Sequence, residues 1–332
     1  MTDPAKLPEY NQTFVNFRQP WPRAPVNGTV IDGHVHLLGS RHAESWFEAA
    51  DHFGIDNFVS QTPLEEVLTL SRRWGHRLQF VAVPNWMKLG EPNRIDDWMR
   101  RLDAFANIGS KIAKAHLAPG TIKRTKLTID GEEMSKIFRA MRDRGMIIMT
   151  HVGDPQLWYD GKYKDDAEYG TRADHYRLWS QRLEEHRGWP WLAAHLGGWP
   201  EGLNDMQGML DRFPDLILDL SATKWIVREL SVQRDQAREF IMRNQDRLIW
   251  GSDQVSTDNR DFDFYASRWW CHRKLFETAW RGPSPILDPD ATSERPSKID
   301  GLALPTTVLQ KLYHDNVQRL FSRVGVKLAQ AA

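Results

Sequence analysis

The stretch Val30-Ile31-Asp32-Gly33-His34-Val35-His36 decides the reading of this chain. A β-branched pair runs into Asp-Gly and then into two histidines spaced by two. Residues two apart on an extended chain project to the same side, so His34 and His36 would aim their imidazoles into one site. Arg41 to Phe53 follows at once as a helical stretch, which makes the whole segment a strand–helix unit.

The same alternation continues outward. Asn57 to Ser60, Leu78 to Val83, Lys111 to Leu117, Met146 to Thr150, Trp191 to Ala194, Leu216 to Leu220 and Leu248 to Trp250 read as strands. Helices are expected from Pro63, over Ile95 to Phe105, Gly131 to Arg144, Arg172 to His186, Leu203 to Phe213, Val232 to Arg243 and Phe264 to Trp280. Met146 to Thr150 is an unbroken apolar run, the pattern of a parallel strand buried on both faces. Eight such units in order predict an α/β fold, a (β/α)8 TIM barrel. A doubly wound sheet would need a Gly-rich phosphate turn after an early strand, and none is present. Residues 1–29, with five prolines, read as an extended N-terminal arm. Residues 30–321 read as a single barrel domain that includes an irregular stretch over 282–305 and an extra C-terminal helix from Pro305 to Phe321, and 322–332 as a tail.

Composition narrows the function class. The 332 residues carry 44 Lys+Arg against 44 Asp+Glu, so the electrostatic footprint of a nucleic-acid or acidic-membrane binder is missing. No apolar run approaches the roughly 18 residues that span a bilayer, and no hydrophobic leader opens the chain. A single cysteine, Cys271, excludes an internal disulfide framework and a multi-cysteine metal site. The expectation is a soluble, cytoplasmic enzyme that acts on a small molecule.

In a barrel, chemistry sits at the C-terminal ends of the strands. His34 and His36 end the first strand, His151 the fifth, His195 the sixth and Asp253 the eighth. Structural histidines satisfied within the fold are the bland alternative for any one of them, but five metal-capable residues at four strand ends are harder to obtain by chance. Such a nitrogen and oxygen set suits one divalent ion, Zn first, with Mn or Fe as alternatives. Lys114 lies on the fourth strand in register with His116, and both could face inward. The long segment from Asp154 to Arg172, with Trp158, Tyr159, Tyr163 and Tyr169, reads either as a lid or pocket wall or as an Ω-loop packed on itself. Arg172 and Arg268 are candidate anion anchors. Trp269, Trp270 and Trp280 read as core or oligomer contacts, which leaves a homo-oligomer open.

The segments Asp32-Gly33-His34-Val35-His36, Thr150-His151, Ala194-His195-Leu196-Gly197-Gly198 and Gly251-Ser252-Asp253 resemble signature positions of the amidohydrolase superfamily. Leu312 to Phe321 resembles the tail of its amidohydrolase-related branch, which includes aminocarboxymuconate-semialdehyde decarboxylase, resorcylate-type decarboxylases and lactone hydrolases. The resemblance runs from about residue 30 to 321 and implies a barrel of the metal-dependent hydrolase type. It implies that His34, His36, His151 and Asp253 hold one metal, while His195 works unbound as acid/base or electrophile. It also implies two readings of Lys114: a carboxylated bridge between two ions, or, as in the mononuclear branch, an inward cation that receives a substrate carboxylate. Two reaction classes fit. In the first, metal-activated water attacks the carbonyl of a lactone, ester or amide, with Asp253 carrying the proton. The second is nonoxidative decarboxylation at the same site, and a catalytically silent metal-binding barrel is a third reading. Gln254 after the aspartate and Val152-Gly153 after the fifth-strand histidine depart from the decarboxylases, where a proline-containing continuation is usual, and this favours the hydrolase.

Overall fold

Short apolar runs flanked by amphipathic stretches fold as their periodicity dictates. A computed structural model describes residues 7–258 and 260–328, so the first six residues of the expected arm, the last four of the expected tail and Asn259 lie outside the described residues. Strands form at β1 (Ile31–His36), β2 (Asn57–Ser60), β3 (Leu78–Phe80), β4 (Ile112–His116), β5 (Ile147–His151), β6 (Trp191–Ala193), β7 (Leu216–Asp219) and β8 (Leu248–Ile249). At least one helix follows each of them, and every expected strand is present among the described residues. No helix among these residues is long and apolar enough to cross a membrane.

By its contacts the chain divides into two compact units. In the first, residues 7–59 and 220–317, β1 pairs in parallel with a further short strand, β9 (Gln254–Val255), placing Val35 opposite Gln254 and His36 opposite Val255. Helix Phe262–Glu277 starts two residues before its expected position because the Asp261 carboxylate caps it, accepting from Phe264 N–H at 3.0 Å. It packs on helix Ala43–His52 through Trp46 and Trp269, both fully buried, with ring centroids 5.3 Å apart. Trp269 and Trp270 are therefore core residues. The helix expected over 232–243 is two, Trp225–Val232 and Arg234–Arg243, separated at Gln233. Buried Arg228 pairs with Glu229 and Asp288, and Glu229 also takes Arg295, so four charges fasten the proline-rich stretch to helix Trp225–Val232. That stretch is not irregular throughout. It carries an antiparallel pair, β10 (Arg281–Pro283) with β11 (Lys298–Asp300).

The C-terminal helix also departs from a plain α-helix. Thr306–Gln310 and Asn316–Ser322 flank a wider π turn at Lys311–Asp315. A π turn frees backbone carbonyls that an α-helix would use internally. Here Leu312 O accepts from Trp250 N–H at 3.0 Å, just past β8.

In the second unit, residues 60–219 and 318–328, β4, β5, β6 and β7 form a parallel sheet in chain order. Lys114 lies opposite Met149, His116 opposite His151, and Thr150 opposite Ala193. Paired residues share a face, so Lys114, His116, Met149 and His151 stand on one side of the sheet. Past β6 the chain turns through four consecutive left-handed residues, His195 (φ 59°), Leu196 (φ 52°), Gly197 (φ 67°) and Gly198 (φ 81°). Gly198 tolerates this because it has no side chain: a Cβ there would stand 1.9 Å from Gly153 O. Gly198→Ala should consequently lose about 3 kcal/mol or more of stability, the sum of overpacking and left-handed strain, read as a shifted denaturation midpoint. An unchanged midpoint would contradict this close approach.

Candidate metal centre

The extended chain at β1 brings His34 and His36 to the same face, as spacing by two requires. Their side chains converge on one oxygen: His36 Nε2 lies 3.0 Å and His34 Nε2 3.3 Å from Asp253 Oδ1. Ligand atoms of these three residues lie within 4.8 Å of one another, so the triad could hold a metal ion. His34 is fully buried, while the side chains of His36 and Asp253 are 25% and 27% exposed. The triad is thus closed on one side and open on the other.

Three local contacts produce this arrangement. Asp253 is left-handed, with φ 55°, a region that Asp tolerates better than most residues. Its N–H donates to His34 O at 2.8 Å, which continues the β1 ladder beyond the strand. Gly251 permits the approach, because a Cβ there would meet His34 Cβ at 2.8 Å. Asp32 then clamps the two segments. Its Oδ1 accepts from Ser252 N–H at 2.9 Å and His34 N–H at 3.3 Å, and its Oδ2 from Trp269 Nε1–H at 3.0 Å. Burial pushes the Asp32 carboxyl up to about 6, against the pull of these hydrogen bonds. The other ring nitrogen of His34 is tied as well, with Nδ1 3.0 Å from Ser221 Oγ. Such partners orient a ligating imidazole and fix its tautomer.

In the second unit, Lys114 is 1% exposed on β4, beneath His116. His116 Nδ1 lies 2.8 Å from Thr121 Oγ1, and its ring centroid is 4.4 Å from that of His151. The His151 ring in turn packs 4.6 Å from that of His195. His195 is buried, and its N–H donates to Asp219 Oδ1 at 2.8 Å, holding the left-handed turn in place. His151 Nε2 is bonded to Asp154 Oδ1 at 3.0 Å. Burial alone would raise the Asp154 carboxyl, but neighbouring His151, the hydrogen bonds from His151 and Tyr163, and the more distant His195 outweigh it and hold the group below the usual range.

The segment after Asp154 contains two short helices, Gln156–Asp160 and Asp166–Tyr169. Tyr159 and Tyr163 are buried within it, and Trp158 is half-buried, edge-on to Tyr163 at 6.1 Å. Arg172 is committed to this segment. Its Nε donates to Gln156 Oε1 at 2.9 Å and its Nη2 to Asp154 O at 2.6 Å, and its guanidinium stacks on Tyr159 and Trp199 at 4.3 and 4.6 Å. These bonds and the apolar cover give it an internal brace's role and take it out of the anion-anchor reading. Arg268 is likewise spent internally, donating to Phe264 O and Ser267 Oγ. Burial drives the Cys271 thiol up to about 12, so it is no nucleophile.

The sequence profile of the amidohydrolase family matches residues 114–323. The chain belongs to the amidohydrolase family. It is an enzyme of that family, and the closing segment that resembled the family tail lies within the match. No curated protein sequence matches the chain. Among solved structures, a probable 2-pyrone-4,6-dicarboxylic acid hydrolase from Acinetobacter baumannii aligns with a TM-score of 0.54 at 13% identity, covering 89% of this chain and 99% of that one. A 2,6-dihydroxybenzoate decarboxylase from Rhizobium aligns at 0.52 and 13%, covering 90% and 100%. A 5-carboxyvanillate decarboxylase from Sphingomonas paucimobilis aligns at 0.51 and 9%, covering 89% and 99%. Such identities establish a shared fold, and that fold is the α/β barrel expected from the eight units.

Several positions that matter were not singled out from the sequence. Asp32 was visible as part of the opening motif, but its clamp on Ser252 joins residues 220 positions apart. Ser221, Asp219 and Asp154 act through single hydrogen bonds that no spacing announces. Gln254 is a reverse case. It is in register with Val35, between the two histidines, and so shares the face opposite to them. Its amide is 1% exposed, and neither amide atom has a hydrogen-bond partner among the described residues. Gln254 therefore faces away from the two histidines, with its amide in the core. Gln254→Met, of similar shape, should stabilise the protein by about 1 kcal/mol and leave turnover unchanged, because it removes an unsatisfied buried amide. A destabilised protein, or one with altered substrate preference, would refute this.

Proposed function

We propose that this protein is a metal-dependent hydrolase that cleaves the acyl C–O or C–N bond of a small, carboxylate-bearing lactone, ester or amide. The observation that carries the reading is the convergence of His34, His36 and Asp253 on a single point. Two imidazole nitrogens and one carboxylate oxygen form a donor set that fits Zn²⁺, with Mn²⁺ or Fe²⁺ as alternatives. His151 is the proposed fourth ligand. A zinc ion is bound in an amidohydrolase from Burkholderia multivorans that shares the fold, which supports the choice of metal. When bound, the cation supplies Lewis acidity, polarising a carbonyl and acidifying water.

The chain's own residues supply the rest. Asp253, a quarter exposed beside buried His34, is open to water, and its carboxylate takes a proton from the attacking water. As the bond from the carbonyl carbon to the leaving oxygen or nitrogen breaks, Asp253 returns that proton to the leaving group. His195 donates to the carbonyl oxygen as negative charge develops on it. The buried ammonium of Lys114 receives the substrate carboxylate, and Trp158 offers an aromatic face to the rest of the substrate. Citric acid is bound in the Acinetobacter relative and 2,6-dihydroxybenzoate in a decarboxylase of the same fold, both carboxylate-bearing. Decarboxylation at the same residues remains the competing reaction, and it needs no water at Asp253. The accessible side of the triad favours hydrolysis.

Three measurements test this. Elemental analysis of protein purified without chelator should find about one divalent ion per chain, and the His34→Ala/His36→Ala double variant should lose it. Full metal content in that variant would refute the site. His195→Asn should keep the metal while kcat falls about 10²–10⁴-fold; a metal-free variant would make His195 a ligand instead. Paired panels of lactones and hydroxybenzoates, scored for acid release against CO2 release, separate the two reactions, and CO2 release alone would establish the lyase.

A further inference from the structure

The buried carboxylate of Asp154 does more than begin a loop. It is 2% exposed, and both of its oxygens accept: Oδ1 from His151 Nε2 at 3.0 Å, and Oδ2 from the Tyr163 hydroxyl at 3.0 Å. A carboxylate can only accept, so the hydrogen between it and His151 resides on Nε2. A neutral imidazole with Nε2 protonated has its lone pair on Nδ1. Nδ1 of His151 makes no hydrogen bond among the described residues. The ring plane is fixed from both sides, by His116 at 4.4 Å and His195 at 4.6 Å.

The carboxylate is itself held. Arg172 Nη2 donates to Asp154 O at 2.6 Å, and Tyr163 packs on Tyr159 and Tyr169 with ring centroids 5.7 and 5.0 Å away. Lys123 ties the far end of the segment, donating to the Tyr169 hydroxyl at 2.9 Å and pairing with Glu168 at 2.9 Å. A segment fastened at both ends presents Asp154 in one orientation, as a brace does and a lid does not.

We infer that Asp154 is a positioning residue that holds His151 as its Nε2–H tautomer, so that this imidazole acts through Nδ1. The tautomer stands on geometry alone; what Nδ1 then does rests on the proposed metal site, where His151 would ligate through Nδ1 and not Nε2. An orienting carboxylate of this kind raises the basicity of the ring it holds and fixes its aim. The same contact joins the aromatic segment to the chemistry, since Tyr163 reaches His151 only through Asp154.

The experiment is ring-nitrogen NMR on the full chain with isotopically labelled histidine, using His151→Gln to assign the resonance. At a pH where the ring is neutral, metal-free protein should show His151 Nε2 protonated and Nδ1 pyridine-like, and added cadmium should couple to Nδ1. Asp154→Leu, which removes the acceptor, should give a mixture of tautomers, and Asp154→Asn, which keeps a neutral acceptor, should restore Nε2–H. Cadmium affinity should fall about 10–100-fold in Asp154→Leu, with a smaller loss in Asp154→Asn, the range typical for removal of an orienting partner. If Asp154→Leu does not fold, Tyr163→Phe and Asp154→Asn still report: Tyr163→Phe should leave the tautomer intact, and Asp154→Asn should weaken cadmium binding. An Nδ1–H tautomer in the unaltered protein, cadmium coupling to Nε2, or variants at Asp154 with unchanged tautomer and affinity would overturn the inference. Nε2–H without any coupling of cadmium to His151 would support the positioning role while removing His151 from the proposed ligand set.

Discussion

The left-handed backbone at Asp253 is the constraint on which the candidate centre depends. Only with φ at 55° does the residue donate its N–H to His34 O while its carboxylate returns to meet both β1 imidazoles. Left-handed backbone costs roughly 1–2 kcal/mol for an ordinary residue, so something must hold it. Asp32 does so from below, through Ser252 N–H and Trp269 Nε1–H. Burial raises the Asp32 carboxyl itself to about 6, against the pull of these hydrogen bonds. A carboxylate buried beneath His34, His36 and Asp253 is tolerable only because three donors face it.

A second left-handed turn, from His195 to Gly198, works by a different device. Four residues in this region cannot be held by hydrogen bonds alone. Here the backbone of Gly198 lies against that of Gly153, so the turn after β6 and the turn after β5 fit only because residue 198 has no side chain. The Tyr176 hydroxyl closes the same turn by donating to Gly197 O at 2.5 Å. His195 and His151 are thereby brought ring to ring from adjacent strands. Sequence spacing would not have placed them at 4.6 Å, because the distance is set by the turn and not by the ladder.

This separates what the sequence shows from what it does not. Strands β1 to β8 were legible because each is a short local segment that buries apolar residues between helical stretches. The pair His34/His36 was legible for the same reason, since a period of two is a property of six residues. Asp253 could be placed at a strand end, but its turn back toward β1 depends on Asp32, 221 positions earlier in the chain. Helix ends were legible only to the nearest cap: Asp261 moved one start, and Gln233 broke one helix into two. The π turn at Lys311–Asp315 has no local signature at all. Within it Leu312 O accepts from Trp250 N–H, a contact made from outside the helix.

The same distinction bears on how departures from a family pattern are weighed. Gln254 looks informative in the sequence because it adjoins Asp253, yet neighbours on a strand face opposite ways. Its register with Val35 puts it among core residues, and its amide there lacks a partner among the described residues. Val152-Gly153 is the departure with structural consequences. Gly153 is the residue against which Gly198 packs, and its own absent Cβ would stand 2.9 Å from the Tyr176 hydroxyl. A side chain at 153 would press on the end of the Tyr176 ring. Glycine at 153 leaves room for the Tyr176 hydroxyl, which closes the turn after His195 by donating to Gly197 O.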